Sequence, residues 1–187
     1  MRDYLGMDDV GRGLSQDERY AGAAETFGAP LERLARGYEA DPDLRADLLQ
    51  EIHVALWRSF ARFDGRCSER TWVYRVAHNV AATHMLRARR QRRRGLASLD
   101  QIALRADPAQ PSPEATLSER EAMLRLNALI GGLAAPDRQV VLLYLEVLDA
   151  AAIGEVSGLT PRAVATKIHR LKAILARRFQ QGGPDAG

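Results

Sequence analysis

The sequence of 187 residues is poor in cysteine, and Cys67 is its only one. A single thiol excludes a disulfide within the chain, and it leaves no second thiol for the paired-cysteine sites that commonly hold zinc. We therefore expect no metal and no other cofactor. Lysine is nearly as scarce, because the chain has only two, both in one short segment of its C-terminal part. Almost all of the positive charge is therefore carried by arginine.

Long apolar runs are also missing from the sequence. No stretch approaches the roughly 20 apolar residues that a membrane-spanning helix needs. The first residues include Asp3, Asp8 and Asp9, unlike the basic and apolar regions of a secretion signal. These absences predict a cytoplasmic protein that does not insert into a membrane.

Strand-like alternation is nearly absent, whereas apolar residues recur at helical spacing through most of the chain. The pattern predicts an all-α fold. A first helix is expected within 16–39, and a second is expected after Pro42, running to about Phe63. Ser68 is expected to cap a third helix and Asn79 a fourth. The apolar stripe of the second helix consists of Leu48, Ile52, Leu56, Phe60 and Phe63.

The segment 95–116, GLASLDQIALRADPAQPSPEAT, contains three prolines and little periodicity, which is typical of a linker. It divides the chain into two predicted helical domains, at 16–94 and 117–180. The residues after them, 181–187, are rich in glycine and predict a disordered tail. The sequence thus favours two small domains joined by a flexible linker.

The formal net charge of +3 conceals a strong alternation along the chain. Residues 1–64 carry −5, residues 65–94 carry +8, residues 95–147 carry −3 and residues 148–187 carry +3. Two basic surfaces, each preceded by an acidic one, favour two contacts with a polyanion and leave other surfaces for a different partner.

The stretch DAAAIGEVSGLTPRAVATKIHRLKAIL, residues 149–175, has the form of a helix-turn-helix. Its turn falls at Ser157 and Gly158, Thr160 is a good N-cap, and Pro161 suits the first helical position. Apolar residues of the second helix fall on one face and are expected to pack inward. They are Val164, Ile168, Leu171 and Leu175.

The opposite face of that helix is polar and positively charged. Guanidinium and hydroxyl groups there suit base edges in a DNA major groove, and flanking ammonium groups suit phosphates. The alternative is a solvated charged face on an ordinary helical hairpin. The residues of this face are Arg162, Thr166, His169 and Arg170, with Lys167 and Lys172 toward the flanks.

The first domain contains the segments DLLQE (47–51), ALWRSFARFDG (55–65), RTWVYRVAHNVA (70–81) and RARRQRRR (87–94). Together they resemble region 2 of bacterial RNA polymerase sigma factors. The helix-turn-helix resembles region 4 of the same family. With these two regions and a short linker, the chain is similar to the small extracytoplasmic-function branch. Both motifs in the expected order are far more specific than either alone.

The resemblance implies that the first domain binds the clamp helices of the polymerase largest subunit. It also implies that the second domain reads the promoter −35 element and touches the polymerase flap. Asp47, Gln50 and Glu51 match the polymerase-facing DLVQE segment of the family, and an acidic surface suits a protein partner better than DNA. Simple solvation of the helix is the alternative for these three residues.

The resemblance further implies that the first domain recognises and opens the −10 element. Arginines within 87–94 can neutralise phosphates, while the loop 64–70 and Asn79 can hold an unstacked base. Trp72 and Tyr74 match the family's aromatic positions, and Trp72 is expected mainly in the core. The residues expected at the −10 element are Arg66, Ser68, Arg70, Arg75, Asn79, Thr83, Arg87 and Arg90.

Expected partners are therefore core RNA polymerase, double- and single-stranded promoter DNA and, as for many relatives, an inhibitory anti-sigma factor. The main rival is a one-component regulator that uses the helix-turn-helix while its first domain dimerises or senses a ligand. It leaves the arginine-rich segment 70–94 unexplained. A thiol enzyme using Cys67 with His78 or His84 is a distant third, because a catalytic thiolate needs a positioned base and an orienting group. We expect no enzymatic activity and no catalytic residue.

Overall fold

The computed structural model describes residues 14–94 and 117–181, and within them every regular element is a helix. This confirms the predicted all-α fold. The predicted linker at 95–116 and residues 182–187 of the predicted tail lie outside the described residues. The helices are α1 (Gln16–Tyr38), α2 (Pro42–Phe60), α3 (Glu69–Arg94), α4 (Leu117–Gly131), α5 (Ala135–Leu145), α6 (Ala150–Ser157) and α7 (Pro161–Gln181).

Short polar side chains fix where most of these helices begin. Ser15 and Glu18 form a capping box at α1, with Ser15 Oγ 3.2 Å from the Glu18 amide and Glu18 Oε2 2.7 Å from the Ser15 amide. Asp41 caps α2 ahead of Pro42, and Asp149 caps α6. Each cap satisfies backbone donors that the first helical turn leaves unpaired.

Helix α3 is longer than the sequence suggested. Ser68 caps it as expected, since its hydroxyl accepts from the Thr71 amide at 3.1 Å. The expected boundary at Asn79 is wrong, because Asn79 lies exposed in the middle of one helix of 26 residues. The apolar face continues past Asn79 from Ala77 to Ala81, both fully buried, so nothing there favours a break.

Helices α1, α2 and α3 form the first half of the molecule. The predicted stripe of α2 faces inward, with Leu48 and Ile52 fully buried and Phe63 packed at its edge. Helix α1 adds Phe27 and Leu31 to the same core. This packing leaves the polar face of α2 and one edge of α3 on the surface.

The second half contains the helix-turn-helix. Gly158 ends α6 in the left-handed region at φ 76°, and Thr160 Oγ1 accepts from the Ala163 amide at 3.3 Å to start α7. A Cβ on Gly154 would lie 2.6 Å from the Leu159 carbonyl oxygen, so the turn requires glycine there. On α7, Val164 is fully buried. Leu171 is buried, and Ile168 and Leu175 are partly buried.

The two halves pack against each other through α1 and α3 on one side and α4, α5 and α6 on the other. Apolar side chains of both halves form a single continuous cluster, in which Tyr74 and Val73 of α3 share a core with Leu143 and Ile153. The backbone is strained at the corner between α5 and α6, because the β-branched residue Val147 has φ 59°. The Val147 side chain is also 85% exposed.

A buried polar group couples α1 to α3. The Tyr38 hydroxyl lies 2.9 Å from His78 Nδ1, and the Arg138 guanidinium of α5 covers the Tyr38 ring at 5.4 Å. Complete burial lowers the pKa of His78 to about 3, so the imidazole is neutral in the folded protein. Burial also raises the pKa of Tyr38, which therefore stays a phenol.

The neutral His78 predicts acid sensitivity. Below its usual pKa of about 6.5, the unfolded chain binds a proton at His78 that the folded chain excludes, so stability falls as pH falls. Between about pH 7 and about pH 5 we expect a loss of about 2 kcal/mol from this group. Urea unfolding of the wild type and His78→Phe across this range measures it. The variant serves to subtract His53 and the carboxyl groups, and equal pH slopes for the two proteins would contradict the prediction.

Candidate polymerase and nucleic-acid interface

A groove of about 970 Å³ runs between α2 and α3 on the surface of the first half. It brings all three predicted polymerase-facing residues together with three of the predicted −10 residues. Those from α2 are Asp47, Gln50 and Glu51, and those from α3 are Asn79, Thr83 and Arg87. The α3 residues are spaced by four, so they line one face of a rigid helix.

Opposite charges meet across this groove. Glu51 of α2 lies 3.6 Å from Arg87 Nη1 and 3.6 Å from His84 Nδ1 of α3. The Arg87 side chain is 65% exposed and the Glu51 side chain 42%, so each has a free edge toward solvent. Arg58 of α2 and Arg62, in the turn after α2, line the same groove. The groove thus has an acidic part suited to a protein and a basic part suited to phosphate.

Trp72 forms part of the groove wall, and its position is fixed from behind. Its Nε1 donates to Ser59 Oγ at 2.9 Å, and its ring packs on Phe63 with centroids 5.3 Å apart. Trp72 is half-buried, consistent with the expected core role, while part of the ring lines the groove. Tyr74 differs, because it is buried and its hydroxyl lies 3.3 Å from Glu146 of the second half. Of the two expected aromatic positions, Trp72 is therefore the one in the groove.

The remaining predicted −10 residues lie outside the groove. Arg66 is 89% exposed in its side chain and pairs with Asp64 at 3.1 Å in the loop before α3. Arg70 and Arg75 face the second half, where each donates to a backbone carbonyl. Ser68 caps α3, and Arg90 is exposed near its end. The expected −10 set is thus divided between two surfaces of α3.

The predicted −35 face of α7 is open to solvent. Arg162, Thr166, His169, Arg170 and Lys172 are exposed, while Lys167 is partly covered. Two of these cations are held by one acid of α5: Lys167 Nζ pairs with Asp137 Oδ1, and Arg170 Nη2 lies 3.4 Å from Asp137 Oδ2. The Lys172 ammonium lies 5.6 Å from the Tyr144 ring centroid. Asp137 therefore sets the position of side chains on the predicted recognition face.

Other kinds of site find little support in the described part of the chain. No cluster of three or more metal-ligating side chains occurs in 14–94 or 117–181. Over the same residues, none of the helices combines the length and apolarity needed to cross a bilayer. The histidines considered for a thiol enzyme have other neighbours, since His78 contacts Tyr38 and His84 faces Glu51.

Comparison with known proteins identifies the first half. Residues 24–93 match the sigma-70 region 2 family, and this range includes the whole groove. The chain is 29% identical to the RNA polymerase sigma factor CnrH of Cupriavidus metallidurans, over 83% of this chain and 78% of that relative. It is 23% identical to the extracytoplasmic-function sigma factor SigX of Bacillus subtilis, over 75% and 73%. Against SigG of Mycobacterium tuberculosis it is 28% identical over 90% of this chain, which spans 51% of that relative.

Solved structures show the same fold in both halves. CnrH in complex with the cytosolic domain of CnrY aligns with a TM-score of 0.63 and 22% identity, covering 90% of this chain and 92% of that one. The sigma factor RpoE in complex with the anti-sigma factor NepR from Bartonella quintana aligns with a TM-score of 0.70 and 14% identity, covering 90% and 99%. Residues 24–93 thus form a sigma-70 region 2 domain, and the likeness to extracytoplasmic-function sigma factors extends over most of the chain.

Some residues of the site emerge only from the structure. Arg58 and Arg62 line the groove and follow Glu51 by seven and eleven positions, a helical spacing that could have indicated them. Asp137 carries no such signal, because it is separated from Lys167 by 30 positions. Pairings over that distance depend on tertiary structure.

Asp137 yields a prediction about DNA binding by α7. In Asp137→Asn, Lys167 and Arg170 lose the acid that orients them, and the surface loses a negative charge. We expect tighter binding to unrelated duplex DNA and discrimination among −35 sequences reduced by about 1 kcal/mol, the low end for one base contact. Competition binding with selected and scrambled duplexes measures both quantities.

Asp149→Asn is the matched control for this experiment. It removes the same charge from α6 while keeping an N-cap residue of equal quality. We expect it to leave −35 discrimination unchanged. Equal discrimination by Asp137→Asn and the wild type would show that Asp137 has no role in positioning the recognition face.

Proposed function

We propose that this sigma factor binds core RNA polymerase through α2, opens the promoter −10 element along the α2–α3 groove and reads the −35 element with α7. The observation that carries the proposal is the groove itself. It places polymerase-type acids, Asp47 and Glu51, within one surface shared with Asn79, Thr83 and Arg87. A one-component regulator would need only the helix-turn-helix and has no use for that arrangement.

The groove has the groups that strand opening requires. Arg87 in the groove, and Arg90 outside it three residues further along α3, can neutralise phosphates with no dependence on sequence. The Asn79 amide is exposed and offers both donors and an acceptor to a base edge. Thr83 Oγ1 donates to the Asn79 carbonyl at 2.8 Å, so its hydroxyl is left as an acceptor. Trp72 adds an aromatic edge at the same wall for an unstacked base.

The partners follow from these surfaces. The acidic part of the groove suits the clamp helices, α7 suits duplex DNA, and the second half suits the polymerase flap. An anti-sigma factor is a further proposed partner, since the two similar solved structures are complexes with CnrY and with NepR. Sigma factors are transcription initiation factors, and we propose that this one works in the cytoplasm, without enzymatic activity or a cofactor.

The polymerase assignment predicts the effect of charge reversal. Asp47→Arg with Glu51→Arg should weaken binding of core polymerase at least tenfold, because two exposed acids of the groove would be replaced by cations that repel a basic partner surface. Titration of labelled sigma factor with purified core polymerase measures the affinity.

The control for charge reversal is Glu25→Arg with Glu121→Arg, which changes the total charge equally at exposed acids outside the groove. Circular dichroism checks that both proteins fold. If the folded Asp47 and Glu51 variant binds polymerase as tightly as the control, the assignment of α2 is wrong. In that case the one-component regulator becomes the better interpretation of the chain.

The −10 assignment predicts two separable defects. Asn79→Asp should leave stability and closed-complex affinity near wild type but impair strand opening, because an exposed amide donor becomes an anion facing bases and phosphates. Arg87→Ala with Arg90→Ala should instead weaken the closed complex and lower the salt slope by about two units, since each arginine that neutralises a phosphate accounts for roughly one unit.

Both defects are measured on promoters selected by transcription with core polymerase from a genomic library. Permanganate reactivity of unpaired thymines reports opening, and duplex binding across salt concentrations reports the closed complex. Wild-type opening by Asn79→Asp would remove Asn79 from the proposed base pocket. An unchanged salt slope would show that the two arginines do not neutralise phosphates.

A further inference from the structure

The corner between α5 and α6 forms a polar contact with the first half. The carboxylate of Glu146 at this corner accepts from Nε and Nη2 of Arg33, each at 2.7 Å, and from the Tyr74 hydroxyl at 3.3 Å. Pairing with Glu146 raises the pKa of Arg33, so the guanidinium stays charged. Arg70 Nη2 donates to the backbone carbonyl of Glu146 at 2.6 Å. Glu146 thus accepts hydrogen bonds from three side chains of α1 and α3.

A second contact lies one helix further along. Glu155 of α6 accepts from the Thr71 hydroxyl at 3.1 Å, and its backbone carbonyl accepts from Arg75 Nη2 at 2.7 Å. Arg70 and Arg75 are both members of the −10 set expected from the sequence. In this arrangement their donors are directed at the second half of the same chain.

Apolar packing accompanies these bonds. Leu142 of α5 lies so close to α1 that a Cβ on Gly37 would be 2.6 Å from Leu142 Cδ2 and 2.9 Å from Leu142 Cδ1. Tyr74 is buried between the halves, in the core cluster that includes Leu143 and Ile153. The interface therefore has a buried apolar part beside its solvent-exposed polar bonds.

Helix α7 takes no part in this interface. Within the described residues it packs on α4, α5 and α6 and has no contact with α1, α2 or α3. Its exposed face remains available while Arg70 and Arg75 are occupied. The closed arrangement therefore affects the two proposed DNA surfaces unequally.

We propose that the α5–α6 corner is an autoinhibitory contact, which keeps Arg70, Thr71 and Arg75 from promoter DNA until the two halves separate. This inference rests on the proposed function of the first half in −10 recognition. The −35 surface stays accessible in the closed form, whereas the −10 surface becomes complete only in the open form. Apparent affinity for −10 DNA is then reduced by the fraction of molecules that are open.

Gly37→Leu tests the contact from the α1 side. Leucine favours a helix more than glycine does, so α1 itself tolerates the change, but the new side chain meets Leu142 in the closed form. Gly22→Leu is the matched control in the same helix, because no atom lies within 4 Å of a Cβ at Gly22. Glu146→Gln is an independent second variant, which weakens the Arg33 pair without adding bulk.

The experiment uses the full chain and two measurements. Small-angle X-ray scattering reports whether the halves separate. Fluorescence anisotropy with a labelled random-sequence single-stranded oligonucleotide reports the affinity of the −10 surface. We expect Gly37→Leu and Glu146→Gln to increase the radius of gyration and to bind the oligonucleotide roughly three- to tenfold more tightly than the wild type and Gly22→Leu.

Two outcomes overturn the inference. One is a wild type that is already as extended as Gly37→Leu, and the other is a variant that opens without any gain in DNA affinity. Transcription with limiting core polymerase separates this failure from that of the proposed function. If no protein of the series supports transcription, the proposed function fails. If all support it equally while scattering shows opening, only the autoinhibitory contact fails.

Discussion

The architecture depends on the requirement that α3 bury one face while it presents charge on the others. Val73, Ala77 and Ala81 are fully buried at spacings of four, which anchors the helix along much of its length. Because the anchored helix is continuous through Asn79, the side chains of its groove face are held in one line. A break at Asn79 would have let the arginine-rich end point independently of the core. Because α3 is continuous, its buried face holds its charged face in a fixed position relative to the core.

Several of the cations proposed to contact DNA have partners within the chain. Arg87 faces Glu51, Lys167 and Arg170 share Asp137, and Arg70 is bound to a backbone carbonyl. An internal acid lowers the attraction of a cation for any polyanion, but it also restricts the side chain's conformations before binding. The arrangement therefore lowers the non-specific affinity for DNA, but it fixes the positions of the cationic side chains.

Local signals predicted the helices and much of the site. Ser68 and Thr160 marked helix starts correctly, because a cap acts on backbone donors two or three residues away. Pro42 marked the first residue of α2, where its missing N–H leaves no bond unmade. The same logic failed at Asn79, since asparagine is also tolerated at an exposed position inside a helix held by tertiary packing. The α2–α3 groove could be predicted from the sequence, because its residues recur at helical spacing on two adjacent helices.

Pairings between residues far apart in the sequence could not be predicted in the same way. Arg33 and Glu146 are separated by 113 positions, and no periodicity connects them. The alternation of charge along the chain favours two contacts with a polyanion and other surfaces for a separate partner. Glu146 and Glu155 show that part of this charge pattern is complementary within the chain. These two acids of the second half accept hydrogen bonds from side chains of the basic first half. A charge pattern specifies complementarity without specifying whether the partner is another molecule or the same chain.

The chemistry of the corner makes such a contact reversible. Arg70 and Arg75 are bound to neutral carbonyls, whereas the carboxylate of Glu146 is paired with Arg33, which is not among the expected −10 residues. Separation of the halves thus frees both −10 arginines without breaking a charge pair at either one. A phosphate oxygen carries charge and is a stronger acceptor for a guanidinium than a carbonyl is. DNA can therefore displace the second half from these two residues, while the Arg33 pair and the apolar packing determine how often the interface opens.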